Sequence, residues 1–441
     1  MTTPATPTSR PADPGGPAAA APFTPYQKLV VAVLAFIQFT LVLDFMILSP
    51  LGAFLLPELG ITTAQFGLVV SVYAFSAGVS GILAAGFADR FDRKRLLLFF
   101  YGGFVLGTFL CGIAPGYRFL LAARMVTGLF GGVLGSISFA IIADLFPYEA
   151  RGRVMGFVQT AFAASQVLGI PFGLYLTNHL GWHAPFLMIV AVSAAVGVLI
   201  VLRLRPIDAH LAARSDRNPV QHLLKTVTTP RYTWGFAATT LLATGGFMLM
   251  PLGSAFTTFN LGIPMDKLPL IYTATGLTSI LAGPLLGRLS DSIGKYAMFC
   301  FGTLLGMAVV VYYCRMGLSP LWQVIAVNMV LFVAITGRMV SAQALNSAVP
   351  DPKDRGAYMA VNASLQQLSG GVASMAAGLI VVQTASGRLE HYDTLGYVVA
   401  VAMAVALILM YRIHLIVRGN SATAPAGSHG TEARPGAPAP R

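Results

Sequence analysis

One carboxylate stands deep inside an uninterrupted apolar run: Asp44, in Phe39-Thr-Leu-Val-Leu-Asp44-Phe-Met-Ile-Leu. An ionisable side chain in the middle of a bilayer-spanning helix costs about 2.5–3.5 kcal/mol on insertion scales, so it should face a water-filled cavity or a partner. A carboxyl in such a place can take up and release a proton, and Asp44 is the leading candidate for a proton-carrying group. Its natural partner is Arg124, in Arg124-Met-Val-Thr-Gly128. Arg124 lies six residues after Arg118, about 9 Å of helix, and Asp44 lies about 8–18 Å from the end of its own helix, depending on whether Pro50 ends or kinks it. Two readings stay open. The pair exchanges a proton or meets a ligand, or it is a permanent ion pair that fixes helix packing and holds the carboxylate charged. Arg338, about 12 Å along its helix from Asn346, either receives an anionic group or snorkels to the interface. Gln38, Tyr73, Gln159, Gln166, Gln343, Asn362 and Gln366 are further polar side chains within apolar runs. They line a cavity or hydrogen-bond between helices.

The elements that must hold these residues are set by composition. Of 441 residues, 56% are hydrophobic and 10% charged, with mean hydropathy +0.74, whereas soluble domains carry about a quarter charged residues. A span needs about 20 apolar residues. The apolar runs predict helices at 28–56, 63–88, 96–114, 118–143, 154–178 and 185–202, and again at 232–259, 268–289, 296–314, 321–346, 357–383 and 394–417. The longest polar interval, 203–231, divides twelve spans into two sets of six. Residues 1–25 and 418–441 read as disordered cytoplasmic tails, rich in Pro, Ala, Gly and Thr, and the N-terminal stretch lacks the apolar core of a signal peptide.

The net charge of +12 does not mark a nucleic-acid surface, because the basic residues are scattered between apolar runs. They set topology instead. With the N-terminus inside, about 22 Lys and Arg fall on the cytoplasmic side against about four outside, which places both termini in the cytoplasm. Cys111, Cys300 and Cys314 lie in apolar stretches without metal-ligand spacing and read as packing residues. Trp182, Trp234 and Trp322 fall at span ends and are expected to anchor at the interface. Gly294-Lys295 does not complete a phosphate-binding loop, since Leu289 stands where the first glycine is required and Tyr296 replaces the Ser or Thr.

The two halves repeat each other. Ala85-Gly-Phe-Ala-Asp89-Arg90-Phe-Asp92-Arg93-Lys94 follows the second span and Gly287-Arg-Leu-Ser-Asp291-Ser-Ile-Gly294-Lys295 follows the eighth, with the Asp residues 202 positions apart. Phe146-Pro147 leading to Arg151-Gly152 follows the fourth span, and Val349-Pro350 leading to Arg355-Gly356 follows the tenth, with the Arg-Gly pairs 204 apart. An acidic residue at a helix end between basic ones, as at Asp89 beside Arg90 and Arg93, can pair locally and face the positive N-terminus of a neighbouring helix. Positive-inside anchoring explains Arg90 and Lys94 but not the repeated Asp. Asp89, Arg90, Arg93, Asp291, Gly294 and Lys295 are therefore the expected conformational latch.

These loops resemble the major facilitator superfamily, whose motif Gly-x3-Asp-Arg-x-Gly-Arg-Lys maps onto Ala85, Asp89, Arg90, Asp92, Arg93 and Lys94, with Ala85 and Asp92 in place of glycines. The resemblance covers about residues 26–417. It implies a latch against the eleventh span, and for Arg124 a link to the coupling machinery of proton-coupled members. Gly156-x8-Ser165-x3-Gly169-Ile170-Pro171-Phe-Gly173 is similar to the fifth-helix motif of drug and sugar exporters, with Ser165 for a glycine and Ile170 inserted before the proline. Gly169, Pro171 and Gly173 read as packing and bending devices. Gly181-Trp182-His183-Ala-Pro-Phe186 is similar to the start of the sixth span in the bacterial drug and sugar efflux branch that includes arabinose efflux permeases.

The expectations are thus an all-α membrane protein with twelve transmembrane helices in two pseudo-symmetric six-helix bundles, 26–202 and 232–417, joined by a cytoplasmic linker, 203–231. The resemblance implies a secondary transporter in the cell inner or plasma membrane that moves small organic molecules by alternating access. Proton-coupled efflux of drugs, sugars or metabolites comes first, with an importer or uniporter as the alternative and a non-transporting receptor or scaffold from another class. The expected partners are a small-molecule substrate, protons and the lipid bilayer, and the expected state is a monomer. No enzyme activity, cofactor, metal or nucleic acid is expected.

Overall fold

A computed structural model describes residues 23–87, 90–208, 211, 225–351 and 354–423. The first half contains α1 (Pro25–Ile47), α2 (Gly52–Glu58), α3 (Thr63–Phe87), α4 (Arg93–Gly112), α5 (Tyr117–Leu145), α6 (Tyr148–Ala164), α7 (Ile170–Leu180) and α8 (Ala184–Arg203). The second contains α9 (Pro230–Leu249), α10 (Gly253–Phe259), α11 (Leu268–Ile293), α12 (Lys295–Cys314), α13 (Leu321–Ser347), α14 (Arg355–Ile380) and α15 (Tyr392–Thr423).

Local chemistry sets these ends. Thr24 caps α1 by accepting from Gln27 N at 3.2 Å, while Gln27 Oε1 accepts from Thr24 N at 3.0 Å, which satisfies two otherwise unpaired amides. The expected single helix at 28–56 stops at Ile47, and the chain restarts at Gly52 as α2. Pro50 offers no amide to the helix and ends it. Pro251 does the same between α9 and α10, so the expected helix at 232–259 is also two pieces. The break exposes a repeat legible in the sequence and absent from the expectations above. Pro50-Leu51-Gly52 recurs as Pro251-Leu252-Gly253, and Leu59-Gly60-Ile61 as Leu261-Gly262-Ile263. Gly60 and Gly262 both need positive φ, +59° and +75°.

The expected helix at 357–383 ends at Ile380, and Val382–Gln383 pairs antiparallel with Leu389–Glu390 in a short hairpin. At the other end, α15 continues to Thr423, six residues into the stretch read as a disordered tail. Among the described residues, eleven helical stretches are long and apolar enough to span a bilayer, one running through α6 and α7 and another through α9 and α10. Of the helices of 20 residues or more, α14 alone falls outside that set, and it carries Asn362, Gln366 and Gln367 among Ser and Gly. It lies between α3 and α9, so part of its surface meets protein rather than lipid.

Packing pairs repeat between the halves: α3 on α5, α4 on α5, α1 on α6, α4 on α8 and α1 on α8 correspond to α11 on α13, α12 on α13, α9 on α14, α12 on α15 and α9 on α15. The halves meet where α3 lies along α14 and where α11 crosses residues 165–180. Lipid is as apolar as leucine, so such contacts depend on close approach and hydrogen bonds. A methyl group at Gly67 would stand 2.8 Å from Ser374 O, and one at Gly378 would stand 2.5 Å from Thr63 O. Ser71 Oγ donates to Gly371 O at 2.8 Å.

Burial differs between the two ends of the helices. At the end carrying the Pro-Leu-Gly turns, one apolar cluster joins both halves, including Leu48, Leu51, Phe66, Trp182, Leu252, Phe256, Tyr313 and Tyr392. At the end carrying the start of α1, each half keeps its own cluster, one around Val30, Leu97, Ile141 and Ile200 and the other around Tyr232, Phe299, Tyr358 and Met410. One end is sealed and the other is parted. Trp182 belongs to the seal, stacked on His183 and 2% exposed, so it is a core residue and not the interfacial anchor expected. Trp234 and Trp322 are exposed at span ends, as expected.

Candidate functional site

Asp44 sits three residues before the end of α1, directly beneath the sealed face. It and Arg124 are fully buried, and Arg124 Nη1 donates to Asp44 Oδ2 at 2.8 Å. Thr108 Oγ1 from α4 donates to Asp44 Oδ1 at 3.2 Å, so both carboxylate oxygens are engaged. Thr108 has no signal of its own in the sequence, because a threonine in an apolar helix usually bonds its own backbone. Among the described residues, Asp44 is the one buried carboxylate.

Glycines bring the helices that close this site together. At Gly128 on α5, a methyl group would stand 2.3 Å from Tyr73 O, and at Gly107 on α4 it would stand 2.6 Å from Thr127 Oγ1. The close approach of α3 to α5 puts the Tyr73 ring 4.4 Å from the Arg124 guanidinium carbon, within cation–π range. Tyr73 also packs on Phe45, the neighbour of Asp44. Asp44, Arg124 and Tyr73, chosen from the sequence as separate polar groups, thus form one cluster.

The other candidates lie around it. Gln38 is half-buried on α1, six residues before Asp44. Gln166 is buried and its Nε2 approaches Met46 Sδ at 3.9 Å. It belongs to a π-helical turn, Ser165–Gly169, that joins α6 to α7. Such turns mark single-residue insertions in a helix and favour functional positions. Ser165 Oγ donates to Phe39 O at 3.0 Å and ties this turn to α1. A methyl group at Gly169 would meet Leu43 at 2.6 Å, and one at Gly173 would meet Ile47 at 2.8 Å. Pro171 is the second residue of α7, directly after the π-helical turn. Gln159 and Gln343 are exposed on α6 and α13.

Arg338 is 6% exposed within the second half, not snorkelled to an end. Its Nε donates to Thr303 Oγ1 at 3.2 Å, its guanidinium carbon lies 5.7 Å from the Phe299 ring centroid, and Nη2 is buried without a partner. Nearer the parted end, Asn362 belongs to a network that sequence reasoning did not assemble. Asn346 Nδ2 donates to Thr239 Oγ1 at 2.8 Å and to Asn362 Oδ1 at 3.1 Å, and Tyr358 OH donates to Asn346 Oδ1. The network links α9, α13 and α14.

The loop residues are only partly assembled as expected. Asp89 lies outside the described residues. Arg90 is exposed in its turn, and Arg93 is buried with Nε 3.1 Å from Asp144 Oδ2 at the end of α5. Asp144 was not among the sequence candidates, although its place just before Phe146-Pro147 marks a helix end. Asp92 substitutes for a glycine without strain, since its φ is −53° and its side chain caps α4 through Arg95 N at 3.1 Å. In the second copy, Gly294 adopts φ +97°, which a residue with a side chain rarely tolerates. Asp291 pairs with Lys295 across that turn.

The Major Facilitator Superfamily model matches residues 34–265 and again 235–439. The chain belongs to that superfamily, and it is a membrane transporter of small molecules, not an enzyme. It is 27% identical over 272 residues to the MFS-type transporter YceJ of Bacillus subtilis, covering 61% of this chain and 68% of YceJ. It is 35% identical over 130 residues to Multidrug resistance protein 3 of Bacillus subtilis, covering 30% of this chain and 25% of that protein. It is 26% identical over 241 residues to the putative transporter AraJ of Escherichia coli, covering 54% of this chain and 59% of AraJ. The fold is similar to that of a bacterial homologue of the human lysosomal transporter Spinster in an inward-facing, occupied conformation. The TM-score is 0.66 at 15% identity, covering 91% of this chain and 98% of that one. For the nucleoside transporter NupG the TM-score is 0.70 at 12% identity, covering 88% and 99%.

Proposed function

We propose that this transporter exports small organic molecules in exchange for protons, with twelve spans in two six-helix bundles that rock about a central site. Both termini lie on the cytoplasmic side of the cell membrane, so the parted end faces the cytoplasm. The observation that carries the reading is the position of Asp44, buried against Arg124 one turn beneath the seal. Opening the seal would bring water from the far side to the carboxylate. Protonation there releases Arg124 and loosens α1 from α5. Deprotonation after the halves rock back restores the pair and delivers the proton inside. An ion pair that forms in one state and breaks in another is a two-state element biased by the proton.

The match to Multidrug resistance protein 3 supports efflux over uptake. Gln159 and Gln343, polar and exposed on helices set in a bilayer, suit the lining of an aqueous path between the bundles. The paired loops around Arg93 and Asp291 serve as latches that close the cytoplasmic end in the opposite state. The π-helical turn and Gly169, Pro171 and Gly173 supply the bend against α1.

Reconstituted into liposomes with an imposed pH gradient, the protein is expected to move substrate against the proton flow. A panel of fluorescent drugs and labelled sugars identifies the cargo. Movement of cargo in the same direction as the protons would replace antiport by symport. Binding without flux in any gradient would overturn transport coupling altogether.

A further inference from the structure

Arg338 is a buried cation without an anion. Among the described residues no carboxylate lies within ion-pair distance of it, and its one side-chain hydrogen bond goes to the neutral Thr303. Removing an unpaired charge from water costs several kcal/mol, and an orphaned buried donor adds to that. The first half shows how the fold normally meets such a cost, since Arg124 has Asp44.

The repeat bears on the missing partner through the carboxylate position alone, since offsets of 201–204 residues set Arg124 against residues 325–328 and not against Arg338. Six residues before Pro50 the first half has Asp44, and six residues before Pro251 the second half has Gly245. A Cβ at Gly245 would stand 3.9 Å from Arg338 Nη1 and 3.7 Å from Met403 Cγ, both ordinary contacts. The guanidinium therefore reaches the place where the first half keeps its carboxylate. A Cβ would fit there, and Gly245 supplies none. Nη2 remains free to donate, and the surroundings at Phe299 and Met403 are apolar.

We propose that Arg338 is the receptor for an external oxyanion, a carboxylate or phosphate group on an otherwise apolar small molecule, which completes in the second half the ion pair that Asp44 completes in the first. This rests on the transport reading only in naming the cargo as an organic anion. A guanidinium suits that chemistry, because its planar donors match the two oxygens of a carboxylate or phosphate.

The experiment measures the melting temperature of the purified full-length protein in a nonionic detergent. Benzoate, phenyl phosphate and neutral benzamide are titrated at constant sodium, and phosphatidylglycerol is added in a separate series. The expected result is a saturable rise with benzoate or phenyl phosphate and none with benzamide. In Arg338→Gln the half-saturating concentration should rise by about tenfold or more, as for loss of a charge-assisted contact. Gly245→Asp, which keeps Arg338 and supplies an internal carboxylate, should abolish the response, so a folding defect at position 338 does not decide the outcome. A rise with phosphatidylglycerol alone that depends on Arg338 would assign the oxyanion to a lipid headgroup. Equal responses to benzoate and benzamide, or an anion response unchanged in both variants, would overturn the site, as would no response to any of the anions. Because binding is read without flux, absence of gradient-driven transport with the anion response intact would remove the antiport reading and leave this one standing.

Discussion

The two halves of the transporter treat a buried arginine in opposite ways. In the first, Arg124 is neutralised by Asp44, with Thr108 on the second carboxylate oxygen. In the second, the position related to Asp44 is Gly245, and Arg338 keeps its charge with a single neutral hydrogen-bond partner. A duplicated framework has kept the helix packing and diverged in its interior charge. One half pairs its buried guanidinium with a carboxylate of its own, and the other leaves one guanidinium nitrogen without a partner. The contrast shows that packing symmetry constrains backbone approach far more than it constrains the chemistry held between the helices.

The largest expected effect breaks the first half of the comparison. Asp44→Asn should abolish flux driven by a pH gradient in liposomes while leaving substrate exchange at equal pH largely intact. Equal loss of both would return Asp44 to a structural role. Next, the two arginines should respond to the same change with opposite signs. Arg124→Met strands the Asp44 carboxylate and should destabilise the protein by about 3–5 kcal/mol, while Arg338→Met removes an unpaired buried charge and should stabilise it. Thermal unfolding in detergent reads both, and a shared sign would erase the distinction.

A third test addresses the packing that the halves share. Gly128→Val forces a side chain against the Tyr73 backbone and should cost about 1–3 kcal/mol, whereas Gly135→Ala, with open space around its Cβ position, should be near neutral. The smallest effect is at the seal. Ser254 Oγ donates to Ser49 O at 2.8 Å, and Ser49 Oγ donates to Met250 O. Ser49→Ala with Ser254→Ala removes about 1 kcal/mol for each bond. Maleimide labelling of Leu51→Cys, buried in the seal, should then be faster than in the unaltered background. Unchanged labelling would mean that apolar packing alone holds that end closed.

Much of this was legible in order along the chain. Helix positions followed from apolar runs, and Asp44 and Arg124 stood out because charge is costly in such runs. Thr108 did not stand out, since nothing in its neighbours says which way α4 is turned. Trp182 departs from its expectation for a similar reason: its place at a span end fits an anchor, yet the turn at Gly181 directs it into the sealed cluster. The helix breaks at Pro50 and Pro251 were signalled by the prolines themselves, but their pairing across the seal requires both turns in space.

By itself the sequence determined that this is a helical membrane protein with an internal repeat and a few ionisable groups too deep to be incidental. Hydropathy and charge cost act locally, so they are written residue by residue. The tertiary structure decided which charges meet. Pairing depends on helix rotation and on approaches of a few ångströms set by glycines on neighbouring helices, as at Gly128 against Tyr73. That is why Asp44 with Arg124 could be nominated from one dimension, while the isolation of Arg338 beside Gly245 emerged only in three.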